Sequence, residues 1–242
     1  MIDSPIFAER KFGKISVVVT SRAGGSSSAQ FSSFNLADHV GDDPRSVAEN
    51  RRVLANLLQV DSVKVLDANH GCDVQIVNYD SVVMPGDGMV TKSVNLGLVA
   101  LAADCVPFAL VDPIAQIVAV GHCGWKGLVT GLPKALAQSF IEQGGDSARA
   151  TAVLGPAICS QCYEVDGNRV HQLAEICPRS VADENHLDIR AGVAEQLGGF
   201  GFVIEHIFAC TLESPDLYSY RRDGITGRHA LAVVINQGKN EL

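Results

Sequence analysis

The run Leu96-Gly-Leu-Val-Ala-Leu-Ala-Ala103 is almost wholly apolar, and it constrains the fold more than any other stretch of the chain. A strand with one wet face alternates apolar and polar residues. One that is apolar at every position is covered on both faces. Phe108–Val111, a turn at Asp112-Pro113 and Gln116–Gly121 continue the pattern as two further strands. Asp104 and Pro107 interrupt the run, which stays short of the ~18 unbroken apolar residues of a membrane helix. These strands therefore belong inside a layered molecule, with other elements on either side.

The rest of the sequence supplies those elements. Ile15–Ser21 is a β-branched strand, followed by a Gly/Ser-rich loop from Arg22 to Gln30. Asp43 and Pro44 are a helix start, and Val47, Leu54, Leu57 and Leu58 share one face of that helix. Short strands are expected near Val63–Leu66 and Asp73–Tyr79. After the glycines Gly124 and Gly127, the residues Leu128, Leu132, Leu136 and Phe140 recur at helical spacing. Further helices are expected over Gly167–Ile176, with Val170, Leu173 and Ala174 inward, and over Asp188–Leu197. Late strands are expected at Val203–Ile207 and Ala230–Ile235. No Pro-rich or charge-rich linker and no repeat divides the chain. It is read as one domain, residues 1–242, of the α/β (α+β) class with mixed sheets flanked by helices.

Charge narrows the partners. The formal net charge is −8, which disfavours a phosphate backbone but allows a local basic pocket for a small anion. Neither nucleic acid nor a membrane is an expected partner. The start, MIDSPIFAERKFGK, lacks an apolar leader region, so a cytoplasmic location is expected, with the seven cysteines as thiols or metal ligands.

Three segments end an apolar or strand-like run with a possible metal ligand beside glycine or a turn. They are Asn69-His70-Gly71, Ala103-Asp104-Cys105-Val106-Pro107 and Gly121-His122-Cys123-Gly124-Trp125. Two imidazoles and a thiolate suit zinc and leave a fourth tetrahedral position for water, the arrangement of a catalytic site. The spacing is no local zinc motif. By itself it equally describes a hydrogen-bonded histidine and a buried thiol.

These segments, with others, resemble the YfiH-like family, also called the laccase-domain or multicopper polyphenol oxidase family. The matching motifs are Thr20-Ser21-Arg22-Ala23-Gly24-Gly25, Ser33-Phe34-Asn35-Leu36, His39-Val40-Gly41-Asp42-Asp43, His70-Gly71, Ala103-Asp104-Cys105-Val106-Pro107 and His122-Cys123-Gly124-Trp125-Lys126-Gly127. Leu154-Gly155-Pro156-Ala157-Ile158, Cys162-Tyr163-Glu164-Val165, Ser219-Tyr220-Arg221-Arg222-Asp223-Gly224 and Thr226-Gly227-Arg228 complete the set, in the family's order. The resemblance implies a layered fold shared with the cytotoxic necrotizing factor catalytic domain. It implies zinc on His70, Cys105 and His122, and a purine nucleoside enzyme. That enzyme would carry out phosphorolysis of adenosine, inosine, guanosine and methylthioadenosine, and deamination of adenosine. A role in peptidoglycan-precursor editing is the alternative. Two positions and one segment depart from the family: Ala68 stands for the usual Gln, Lys126 for the usual Arg, and Gly86-Asp87-Gly88-Met89-Val90-Thr91 is a looser form of its motif.

Asp104 is a candidate proton shuttle. Arg22, Arg51 and Arg222 are candidate anion-binding residues, because guanidinium forks match phosphate, and at least one of them is expected beside the metal site. Asn35 is a candidate contact to base or ribose, with turn capping as its plainer role. Arg221 and Arg228 belong to the same basic cluster as Arg222, either as a salt-bridge network or as a site wall. Trp125 either stacks a purine or anchors its loop. Cys159-Ser-Gln-Cys162 is a lone CxxC with a structural role as its plainer reading, and Cys72, Cys177 and Cys210 are read as core thiols. A Cys–His hydrolase with Cys105 as nucleophile, and a binding module in which metal only organises loops, remain as alternatives. The expected partners are purine nucleosides and phosphate, and the expected assembly is a monomer or homodimer.

Overall fold

A computed structural model describes residues 3–237. Among these residues, eleven strands form two mixed sheets packed face to face. The first sheet has the order β1 (Ile6–Phe12), β2 (Ile15–Thr20), β11 (His229–Ile235), β6 (Leu96–Ala102), β3 (Ser62–Val65). The second runs β10 (Val203–His206), β9 (Thr151–Leu154), β7 (Val106–Asp112), β8 (Ile117–Cys123), β5 (Gly88–Thr91), β4 (Val74–Ile76).

The apolar strands are explained by what covers them. Between the sheets lie Val17, Val19, Leu98, Leu231 and Val233 from one side and Ala109, Val111, Val118 and Val120 from the other. The outer face of the first sheet packs on α1 (Pro44–Leu58) and on Phe34 and Leu36. The outer face of the second packs on α2 (Trp125–Thr130), α3 (Leu132–Glu142), α4 (Gly167–Ile176) and α5 (Ile189–Gly198). The layers are thus helix, sheet, sheet, helix, and every residue of β6, β7, β8 and β11 is buried. Each buried aliphatic side chain contributes roughly 1.5–3 kcal/mol.

The expected helix starts are present. The Asp43 carboxylate accepts the Arg45 N–H at 3.1 Å, and Asp188 caps α5 by accepting from Ala191 N at 2.9 Å. The single helix suggested by Leu128 to Phe140 is two, broken at Gly131, whose φ of 82° is a left-handed conformation that suits glycine. Leu57 and Ala174, expected inward, are exposed. The strand expected over Asp73–Tyr79 is confined to Val74–Ile76, and β1, β5 and β9 had no sequence expectation.

One crossing and two strand pairings matter for function. The chain leaves β6 in the first sheet and enters β7 in the second through Ala103-Asp104-Cys105, with Asp104 at φ 96°. β11 runs antiparallel to β6 with His229 opposite Ala102, which brings Arg228 to the same end. β9 pairs with β7, and Gly155 N donates to Pro107 O at 2.8 Å, so the loop after β9 starts there too.

Candidate metal centre and basic cavity

Strand parity decides which side chains meet. In β8, Val118 and Val120 face the space between the sheets, while Ile117, Ala119 and Cys123 face the helices. His122 has the parity of Val118 and Val120, so it points to the inter-sheet side at the strand's end. Cys105 has the same parity as Ala109 and Val111 of β7 and precedes that strand. His70 reaches the site from the β3–β4 loop, where its own φ is 63°. The ligand atoms of His70, Cys105 and His122 lie within 4.8 Å of one another, and Cys105 Sγ is 3.9 Å from His70 Nε2. The two imidazoles meet edge to face with centroids 5.0 Å apart.

A buried carboxylate orients the cluster. Asp87, at the start of β5, accepts from His122 Nδ1 at 2.9 Å, Gly71 N at 2.8 Å and Asn69 N at 3.0 Å. It therefore fixes the tautomer of His122, leaving Nε2 for the cluster, and holds the loop that carries His70. A carboxylate behind a ligating histidine is the usual outer partner of a metal site. Asp87 was not singled out from sequence as a site residue. The available signal was an acid isolated between glycines just before the apolar pair Met89-Val90.

The charges are mutually supporting. Burial alone would raise the Cys105 thiol, but His122 and then His70 bring it down to about 6. Burial alone would lower His122, but the Cys105 thiolate and the Asp87 carboxylate raise it to about 10. A thiolate already favoured before metal arrives is a suitable ligand. Space is kept for an ion as well. A Cβ at Gly124 would stand 3.0 Å from Cys105 Sγ and 3.1 Å from His70 Cδ2, so glycine there keeps that side of the cluster uncrowded. The donor set, its outer carboxylate and this cradle fit a transition metal.

The cluster forms the floor of a cavity of about 480 Å³, within the usual range for a small-molecule site. The wall is basic and aromatic. Arg169 Cζ lies 4.9 Å from the Trp125 ring centroid, Arg221 Cζ 5.3 Å from that of Tyr163, and Arg228 Cζ 6.0 Å from that of Tyr220. All six residues line the cavity, together with Lys126, Asp104 and His39.

The remaining sequence candidates fall elsewhere. None of Arg22, Arg51 and Arg222 lines this cavity, which corrects the expectation that one of them would. Arg51 bonds Leu36 O at 2.9 Å and pairs with Asp38 at 3.1 Å. Arg222 donates to the carbonyls of Thr211, Leu212, Ser214 and Leu217 at 2.8–3.1 Å, which ties its fork to a loop. Arg22 lies over the Tyr218 ring and lines a separate depression with Arg222, Glu213 and Asp216. Asn35 is fully buried, and its side chain is bonded to Ala37, Asp42 and the Arg228 N–H, the turn-building role that was its plainer reading. Asp104 lines the cavity, but Thr211 Oγ1 and Arg221 N each donate to one of its oxygens at 2.6 Å. That arrangement makes it an anchor for the loop bearing Arg221. Cys177 is a core thiol as expected and Cys123 is buried as well, whereas Cys210 joins Cys159, Cys162 and Glu213 in a second cluster.

A two-sheet α/β scaffold with a His₂Cys cluster on the floor of a basic, aromatic cavity defines a class of metal-associated site, and comparison with known proteins gives the family. Residues 16–236 match the family described as multi-copper polyphenol oxidoreductase laccase. The purine nucleoside phosphorylase SCO2081 of Streptomyces coelicolor is 41% identical over 224 residues, covering 87% of this chain and 91% of that relative. Adenosine deaminase RL5, from an unknown prokaryotic organism, is 32% identical over 81% of this chain and 84% of its own. Among solved structures, the hypothetical protein YfiH of Bacillus licheniformis superposes with a TM-score of 0.88 at 28% identity, covering 97% of each chain. The chain belongs to this laccase-named, YfiH-containing family.

Proposed function

We propose that the chain is a zinc-dependent purine nucleoside enzyme whose main reaction is phosphorolysis. One observation carries the reading: the His70–Cys105–His122 cluster and three arginine–aromatic pairs line the same cavity. Stacking residues suit a purine, and guanidinium forks suit the oxygens of phosphate. The names of the relatives support the substrate class.

In this reading Trp125 and Tyr163 stack the base, while Arg221 and Arg228 hold phosphate toward C1′ of the ribose. A phosphate oxygen bonds to C1′ as the bond from C1′ to the base breaks, giving ribose 1-phosphate and the free base. Asp104 fixes the Arg221 backbone, and Asp87 fixes His122. Zinc on His70, Cys105 and His122 would supply a Lewis acid.

Deamination of adenosine is a second activity of the same cavity, since a three-ligand cluster leaves one metal position open and one relative is named for that reaction. A Cys–His hydrolase is favoured by one feature only, the line Cys105–His122–Asp87, which has the order of nucleophile, base and orienting acid. Copper oxidase chemistry asks for several sets of copper ligands, and the second cluster among the described residues has no histidine.

Product analysis with adenosine and inosine, with and without phosphate, tests the proposal. Phosphorolysis gives free base only when phosphate is present. Base release independent of phosphate, or inosine as the sole product from adenosine, rejects phosphorolysis as the main reaction.

A further inference from the structure

We propose that Cys159, Cys162, Cys210 and Glu213 form a second metal site, structural in kind and of a donor set that suits zinc. One ligand atom from each of the four residues lies within 4.8 Å of all the others. Cys162 Sγ is 3.7 Å from Glu213 Oε1, and the Cys159 N–H donates to Cys210 Sγ at 3.4 Å.

The four ligands come from two matched turns. In Cys159-Ser-Gln-Cys162, the N–H groups of Cys162 and Tyr163 both donate to Cys159 O at 3.0 Å. In Cys210-Thr-Leu-Glu213, Ser214 N donates to Cys210 O at 2.9 Å. Each turn thus presents two ligands three residues apart, the spacing of a zinc knuckle, with glutamate in place of one cysteine in the second. A bridge between Ala157 and Cys210 aligns the turns, through Ala157 N to Ala209 O at 3.3 Å and Thr211 N to Ala157 O at 3.2 Å. Behind them Arg190 donates to Ala157 O and Ala209 O at 3.3 and 3.1 Å, so a cation backs an anionic ligand set.

Ligand number separates the two clusters. Three protein ligands and an open position mark a catalytic site, whereas four ligands close the tetrahedron and mark a structural one. The location gives the second site a task. The first turn leads into Tyr163, and the second contains Thr211, which bonds Asp104. A metal here clamps together the two loops that build one wall of the cavity. A lone CxxC did not reveal this, because the other half of the site is a Cys-x-x-Glu distant in sequence.

Metal analysis of the full chain, prepared under reducing conditions and loaded with zinc, tests the assignment. Wild-type protein should retain about two zinc ions per chain and the variant His70→Ala/Cys105→Ala about one. Cobalt titrated into that variant should give the intense visible bands of a tetrahedral site and a thiolate charge-transfer band. Glu213→Gln, which keeps side-chain size, should weaken cobalt binding at least about tenfold, the scale of losing a metal-site partner. Cys162→Ser should abolish the charge-transfer spectrum or reduce it sharply. No retained metal in the His70→Ala/Cys105→Ala variant, when folded by circular dichroism, would overturn the site. So would a disulfide among these cysteines in protein purified without oxygen.

Discussion

The floor and the wall of the cavity are built differently. The floor is set by sheet geometry. Cys105 and His122 sit at the ends of adjacent, fully buried strands, and Asp87 immediately precedes the next strand, 2.9 Å from His122. The wall is set by loops and short helices, where a side chain's direction depends on which backbone groups need partners. Arg221 and Arg222 show this as neighbours in α6 (Tyr220–Asp223). Arg222 is consumed by four loop carbonyls, while Arg221 spends one bond on Glu164 O and turns over Tyr163 into the cavity. Residues on a packed sheet can be assigned by period. Arginines on loops are assigned only once the unsatisfied carbonyls around them are known.

Substitution on the floor should have the largest effect. Cys105→Ala should reduce turnover by ~10³-fold or more, the scale of losing a group that stabilises transition-state charge. Bound metal should fall in parallel, and the circular dichroism spectrum should be unchanged. Full activity with intact metal content would break the distinction between floor and wall.

Asp87→Asn should cost roughly 10–100-fold in metal affinity or activity, as for other outer partners of ligating histidines. Its pH dependence has a definite sign. Burial would raise the Asp87 carboxyl, but the hydrogen bond from His122 and the N–H groups of Gly71 and Asn69 leave it below the usual value. A carboxylate held low in the folded state adds stability above its unfolded pKa, about 4, and that stability is lost as pH falls toward the folded value. Acid unfolding of the metal-free protein should show this component, and Asp87→Asn should remove it. Identical acid limbs for the two proteins would contradict the orienting role.

On the wall, Arg228→Gln or Arg221→Gln should raise KM for phosphate roughly tenfold and that for nucleoside much less, since a charged hydrogen bond contributes about 1.5–3 kcal/mol. Arg22→Ala and Arg51→Ala should leave phosphate KM within about twofold. The reverse pattern would return the anion site to the residues favoured by sequence. Arg222→Ala should act on stability alone. Losing its carbonyl partners costs about 1–2 kcal/mol, or a Tm drop of about 2–4 °C per kcal/mol, with phosphate KM unchanged.

What was legible in the sequence follows the same division. The doubly covered strands from Leu96 to Gly121 announced themselves by composition, and they carry Cys105 and His122 at their ends. The caps Asp43 and Asp188 were equally plain. The motifs around Asn35 and Arg222 mark a family without saying whether a residue meets ligand or backbone. Asn35 is buried under the Arg228 loop and Arg222 is spent on carbonyls. Arg169 carries no distinctive sequence signal, because it sits in an ordinary amphipathic helix and only the packing of α4 against α2 sets it over Trp125. The edge strand β1 has one polar face and charged residues, a weaker pattern than any interior strand.

The most direct measurement is a crystal structure of the zinc-loaded protein with phosphate, using anomalous scattering at the zinc edge. The account predicts a peak about 2.0–2.3 Å from His70, Cys105 Sγ and His122 Nε2, with phosphate held between that peak and the Arg221–Arg228 wall. Zinc absent from these three residues, or phosphate held by Arg22 and Arg222 in their separate depression, would contradict it.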